Sequence, residues 1–328
     1  MHSVKSFYKK ISENRLIKAL GPFSVLIVII FIFSILTPTF RTPANLASVG
    51  LSASVYVILA MGMTFVIISG GIDLSLGSIV GLAGAFCCIL LKMQMPVWAA
   101  ALGGMLMGMV CGAINGFMVT WMGLLPFIAT LGGQWIFRGV LLVMSGGATV
   151  TVRSDITKQV LDDFIFLGSG RILGIPVPVY IFAVLGIALS FLLKHTTYGR
   201  SLYAIGSNPE AARMSGIHNN RIKFKTYVLA GALAGLSGVL LAARMVSMTS
   251  GGGNGYEFEG IFATVVGGTS MSGGEGSVLG AICGAFVVAI LRNGLNLNGI
   301  NSFWQQVILG GIIVIAVYVD TLRTRKAK

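Results

Sequence analysis

From Gly21 to Phe40, and again from Thr42 to Ile72, the chain carries no charged residue. A bilayer core about 30 Å thick takes ~20 apolar residues of helix to cross. Inside it every backbone N–H and C=O must find a partner within the protein, which leaves the helix and the closed barrel. Runs this long, with no strand-like alternation, point to helices.

Further runs of similar character follow. Read in order, the spans are Gly21 to Phe40, one within the run Thr42 to Ile72 that gives way to a glycine-rich break at Gly70, Gly71 and Gly77, then Leu74 to Leu91, Val97 to Met122, Pro126 to about Val143, Ile172 to Leu193, Thr226 to Ala243, Gly260 to Gly274, Gly276 to Leu291 and Ser302 to Val319. The expected fold is an all-α polytopic membrane protein of about ten transmembrane helices, with 21–322 as one membrane domain. Composition agrees: 10% of residues are charged and mean hydropathy is +0.89, where soluble domains carry roughly 25% charge. Gly21 to Phe40 is too long for a signal-peptide core and no small-residue cleavage site follows it, so it reads as a retained first helix.

Positive charge sorts the two sides. Ten spans put segment 1–20, the loop 194–225 and the tail 323–328 on one side, with fifteen Lys and Arg against seven on the other. Positive charge favours the cytoplasm, so both termini and the 194–225 loop are expected inside. Eight spans with two re-entrant pieces satisfy the charges equally. The net charge of +13 is spread over these short segments and indicates no nucleic acid. Residues 146–174 form the long outer connection, where Arg153, Asp155, Lys158, Asp162, Asp163 and Arg171 mix both signs. Such a segment suits a landing surface for a partner or an ordinary solvated loop. Ser247 to Tyr256 reads as a flexible outer connection.

Within 194–225 the spacing predicts a short helix, Pro209 to Ser215, ended by a left-handed Gly216. Asn208 can cap it with Pro209 at the first position. Alternatively Ser207 caps and Glu210 completes a capping box. A well-made helix on the water side is a handle for another protein, or simply a helical turn in a loop.

Glycine, 45 residues in all, permits close helix packing and breaks. Gly77–Gly81 with Gly84 is echoed by Gly276–Gly280 with Gly284, each behind a Gly-Gly pair. This internal repeat, around spans 2–3 and 8–9, suits a pathway between repeats with broken helices, and equally suits plain glycine packing. Asp73 lies in the first break, where it can cap, or line the inner mouth of a pathway. Arg138, inside a span, can pair structurally, snorkel, or bind hydroxyls. Cys87, Cys88, Cys111 and Cys283 lie in apolar runs without metal spacing, as buried free thiols. No phosphate-binding G-x-x-x-x-G-K-[ST] loop occurs. His2, His195 and His218 are too scattered for a metal or acid–base centre. The chain reads as no enzyme, with no cofactor or metal of its own.

The run from Gly199 to Ile217 resembles the cytoplasmic loop of the permease subunits of ABC-type sugar importers, the ribose, galactose and arabinose group. Gly70–Ser78, Thr130–Gly133 with Arg138-Gly139, Gly267–Ser277 and Ser302–Gln305 match in the same order. The resemblance implies that Gly206, Asn208, Pro209, Glu210, Ala211, Ala212, Arg213 and Gly216 dock on a separate ATP-hydrolysing subunit, which holds ATP and Mg. It implies a solute-binding protein outside, a second permease chain and a bacterial inner membrane. The solute would be a pentose or hexose. Its path should be polar, with Thr64, Asp73, Asn115, Thr130, Gln134, Asn254 and Asn293 as candidates; each polar residue also suits an interhelical hydrogen bond. An ion-coupled secondary transporter is the alternative. It would need acids deep in spans, whereas Asp73, Glu259, Glu275 and Asp320 are placed at span ends.

Overall fold

The computed structural model describes residues 15–327, so most of segment 1–20 and Lys328 lie outside the described residues, as do the side chains of the basic tail. Thirteen helices follow in order: α1 (Arg15–Leu36), α2 (Pro43–Ile68), α3 (Leu76–Lys92), α4 (Val97–Thr120), α5 (Pro126–Ser145), α6 (Lys158–Ser169), α7 (Val177–His195), α8 (Thr197–Ser207), α9 (Pro209–Met214), α10 (Asn219–Met245), α11 (Tyr256–Val266), α12 (Val278–Leu297) and α13 (Ser302–Ala327). Among the described residues, six are long and apolar enough to cross a bilayer: α2, α4, α5, α7, α10 and α12.

α2 is the axis of the molecule. Nearly every residue from Ala53 to Ile68 is buried, as expected of a helix apolar on all faces. One side packs with α7, α11 and α12 through Phe65, Phe182, Leu189, Phe262 and Ile290. The other packs on α10 and shares a second core with α3 and α5 through Met63, Ile79, Val80, Phe137, Leu141 and Tyr227. α4, α5 and α7 are peripheral and turn Leu102, Trp135 and Ile187 outward.

α4 and α10 touch backbone to backbone. α4 carries Gly104, Gly108, Gly112 and Gly116, one per turn on one face. A β-carbon on Gly108 would overlap the carbonyl oxygen of Gly231, and one on Gly112 that of Tyr227. Lipid provides no hydrophobic drive between helices, so this close approach supplies the van der Waals contact that holds them.

The breaks are sharper than the expected spans. α2 ends at Ile68 and Gly70 turns the chain at φ +78°, where the sequence places the first break. Gly77 lies inside α3 rather than in the break. The eighth span, expected at Gly260 to Gly274, is helical only to Val266, because Gly268, Gly273 and Gly274 all take positive φ. α10 begins at Asn219, drawing Arg221, Lys223 and Lys225 of the basic loop into a helix.

The two connections that the sequence places outside are ordered. Residues 146–174 contain α6, capped by Thr157 and anchored by buried Phe164. Val150–Thr151 (β1) and Ser247–Met248 (β4) form an antiparallel pair, and Arg171–Ile172 (β2) pairs with Ile175–Pro176 (β3). Ser247 to Tyr256 is therefore not a free connection: it starts on a strand and then threads into the helices. Lys92 and Asp155 close an exposed ion pair at 3.1 Å.

Candidate coupling surface and translocation path

The 194–225 segment folds as two helices where one was expected. α8 buries Gly199, Leu202 and Ile205 along one face, and the Thr196 side chain accepts from the Gly199 N–H to cap it. The small residues Gly199, Ser201 and Gly206 obscure that amphipathic face in the sequence. α9 is the expected helix, and the structure selects one of its two caps. Asn208 Oδ1 accepts from the N–H groups of Glu210 and Ala211, both at 3.0 Å. Ser207 instead donates to the Tyr203 carbonyl. Gly216 takes φ +82° just after the Ser215 C-cap.

α9 stands on the surface. Pro209, Glu210, Ala211, Arg213 and Met214 are exposed and only Ala212 is buried. Beside it opens a cleft of 700 Å³ lined by Trp121, Glu210, Arg213, Ile217 and Arg221 among others. Trp121, absent from the expected set, packs edge-on against Phe224 at 4.9 Å. A lone tryptophan at a span end gives no sequence signal for such a cleft.

Beneath α9 the chain is bolted to both breaks. A β-carbon on Gly206 would overlap the carbonyl oxygen of Ile68, where α2 ends. The same carbonyl accepts from the Gly274 N–H at 3.0 Å. Tyr203 donates its hydroxyl to the Gly276 carbonyl at 2.7 Å, and burial pushes its phenol pKa up, keeping it a neutral donor.

Three expected pathway residues meet in the first break. Asp73 is fully buried and accepts from the Ser75 N–H and hydroxyl, at 2.9 and 2.7 Å. Asn115 of α4 donates to Asp73 and to Ser75. Thr130 of α5 accepts from the Leu74 N–H at 3.1 Å and donates to carbonyls, Pro126 at 2.8 Å among them. Thr64 is closed in the core, donating to Ala60 of its own helix. Asn293 exchanges two hydrogen bonds with Asn45, at 3.0 and 2.8 Å.

The other two lie at the start of α11. Gln134 of α5 donates to Glu257 at 3.3 Å, and Asn254 is exposed in the preceding loop. Among the described residues Arg138 has no acidic partner within ion-pair distance; its Nη1 donates to the carbonyls of Ser250 and Gly252, at 3.1 and 2.8 Å. Glu257, 1% exposed, escaped the sequence reading because it follows a glycine run that looks like solvent loop. Glu259, placed at a span end, does start α11 but is buried and paired with Arg292 of α12. Nearby, Ser52, Tyr56, Arg244 and Tyr256 line a cavity of 270 Å³.

Residues 45–317 match a family described as branched-chain amino acid transport system / permease component. The chain belongs to that family. It is 40% identical over 295 residues to the ribose import permease protein of Escherichia coli (strain K12), covering 90% of this chain and 91% of that one. With the ribose import permease protein of Bacillus subtilis (strain 168) it is 40% identical over 312 residues, 95% of each. With the D-allose transport system permease protein of Escherichia coli (strain K12) it is 37% identical over 304 residues, 92% of this chain and 91% of that one. No solved structure matches. A permease of this family, all-helical and multi-pass, is thus a membrane transport component.

Proposed function

We propose that this chain is the membrane-spanning subunit of an ATP-driven importer for a monosaccharide, in a bacterial inner membrane. A solute-binding protein delivers the sugar, a separate subunit hydrolyses ATP, and a second permease chain completes the pathway. The observation that carries the reading is similarity to ribose and allose permeases over nine-tenths of the chain. That similarity favours this reading over an ion-coupled transporter.

The geometry supplies a mechanism for this reading. The ATPase subunit docks on α9 and the 700 Å³ cleft, with Gly206, Asn208, Pro209, Glu210, Ala211, Ala212, Arg213 and Gly216 forming or shaping the contact. Motion of α9 reaches Ile68 and Gly274 through α8, so both breaks move with it. In this scheme Asp73, Asn115 and Thr130 hold the first break in shape. About ten crossings with both termini inside follow if α1, α3, α13 and the two-part stretch 247–266 also cross. The meeting of the two breaks at the Ile68 carbonyl supports an internal repeat.

The test is energetics and assembly. Uptake of ribose, allose or xylose should survive an ionophore and stop when ATP is depleted. A Glu210→Lys variant, or an insertion within 208–215, should still enter the membrane but lose sugar-stimulated ATP hydrolysis in the reconstituted complex. Uptake abolished by the ionophore at normal ATP would refute the proposal.

A further inference from the structure

The stretch from Ser247 to Val266 is built from two unlike halves. A strand and an irregular loop run to Gly255, and helix begins only at Tyr256. Neighbouring helices fix the depth of that junction. Glu257 accepts from Gln134, the ninth of the twenty residues of α5. Arg138, the thirteenth, holds the carbonyls of Ser250 and Gly252. At ~1.5 Å per residue α5 is about 30 Å long, the thickness of a bilayer core. The junction therefore lies near mid-depth.

Irregular backbone at that depth is tolerated only inside protein or against water. One side of the loop meets the first condition: Gly253 is buried, and β-carbons on Gly77 or Gly81 of α3 would overlap the carbonyl oxygens of Gly253 or Gly252. The other side is left uncovered by the described residues of this chain. Gly251 and Asn254 are exposed, and Gln134 and Arg138 are partly so. A guanidinium and two amides on an open face near mid-depth are as unsuited to acyl chains as the loop itself.

We propose that this face, carrying Gln134, Arg138 and Asn254, lines a water-filled passage and forms a hydroxyl-binding station for the sugar at mid-depth. The identity of the solute rests on the function proposed above; the water-filled face does not. A sugar hydroxyl both donates and accepts. Arg138 engages Nη1 with the loop and keeps donors on Nε and Nη2. Gln134 spends one N–H on Glu257, which orients the amide and leaves its oxygen and second N–H for solute. Asn254 offers both functions. Phe258, 54% exposed one turn further on, presents a ring to the apolar face of a sugar. Glu257 acts as a positioning residue and balances the charge of Arg138.

Two measurements on the full-length chain decide this. Asn254→Cys in membranes is treated with a charged, water-soluble methanethiosulfonate. The four native thiols are buried and give little background. Labelling is expected within about tenfold of Ser154→Cys on the outer connection, and at least about a hundredfold faster than Ile187→Cys on the outward face of α7. A rate like that of Ile187→Cys overturns the proposal. In the complete importer, Asn254→Leu and Gln134→Leu should lower sugar uptake per ATP hydrolysed by about tenfold. An unchanged ratio in both variants overturns the binding station. Failure of the wild-type chain to form an ATP-hydrolysing complex would count against the importer reading alone, since the labelling needs no partner.

Discussion

Gly206 packs its bare α-carbon against the carbonyl of Ile68, a contact with no room for even a methyl group. It joins the α8–α9 pair to the end of the central helix. A contact between backbones is stiff: it cannot be absorbed by rotamer changes, so displacement of α9 is carried into α2.

The first prediction concerns that contact. Gly206→Val must push α8 away from Ile68, with an overpacking cost of about 1–3 kcal/mol. The chain should still insert, because the apolar spans are untouched. Sugar-stimulated ATP hydrolysis by the reconstituted complex should fall at least about tenfold, as motion no longer reaches the breaks. Stimulation equal to wild type would show that the joint is not the transmission point.

A second prediction concerns the cap. Asn208 satisfies two N–H groups at the start of a helix only six residues long. Asn208→Ala should cost about 1 kcal/mol locally, and Asn208→Asp should restore most of it. Amide exchange at Ala211 is the readout. Exchange should quicken severalfold in the alanine variant and return towards wild type in the aspartate one.

Much of this architecture is legible in the residues, and the losses have physical causes. The uncharged runs announce helices because lipid leaves the backbone few other choices. Asn208, Pro209 and Gly216 announce α9 because capping is local chemistry. What escapes is non-local. Glu257 and Gln134 lie 123 positions apart, and neither shows in sequence that the other is its partner. The glycine run before Tyr256 resembles a solvent loop, since glycine serves equally where the chain is free and where it is pressed against α3. The one-per-turn glycines of α4 were a readable signal of close packing, but their partner α10 was not.

That α4–α10 contact yields the third prediction. Gly108→Leu places a side chain where the Gly231 carbonyl already sits, deep in the longest helix contact of the fold. Neither backbone can yield without parting the whole interface. Loss of a monodisperse peak in detergent and of membrane accumulation is expected. Gly132→Leu is the control, because nothing among the described residues lies within 4 Å of its would-be β-carbon. If Gly108→Leu accumulated normally, backbone contact would not be what holds these helices.

The last prediction separates a buried charge from the pair it belongs to. Glu259 and Arg292 join α11 to α12, and Glu259 is 8% exposed. Arg292→Leu leaves that carboxylate without its cation in a low-dielectric setting, where breaking a pair costs about 3–5 kcal/mol. Glu259→Gln leaves the guanidinium short of an acceptor, but that side chain is 31% exposed against 10% for the carboxylate, so it should cost less. The double variant removes both charges and should regain most of the loss from Arg292→Leu. Thermal unfolding of the purified chain in detergent reads all three, with Arg292→Leu lowest by more than about 5 °C. Simple addition of the two single effects would mean the groups do not interact, and α11 would then be held to α12 by apolar packing around Phe262 and by the close contacts of Gly267, Gly280 and Gly284.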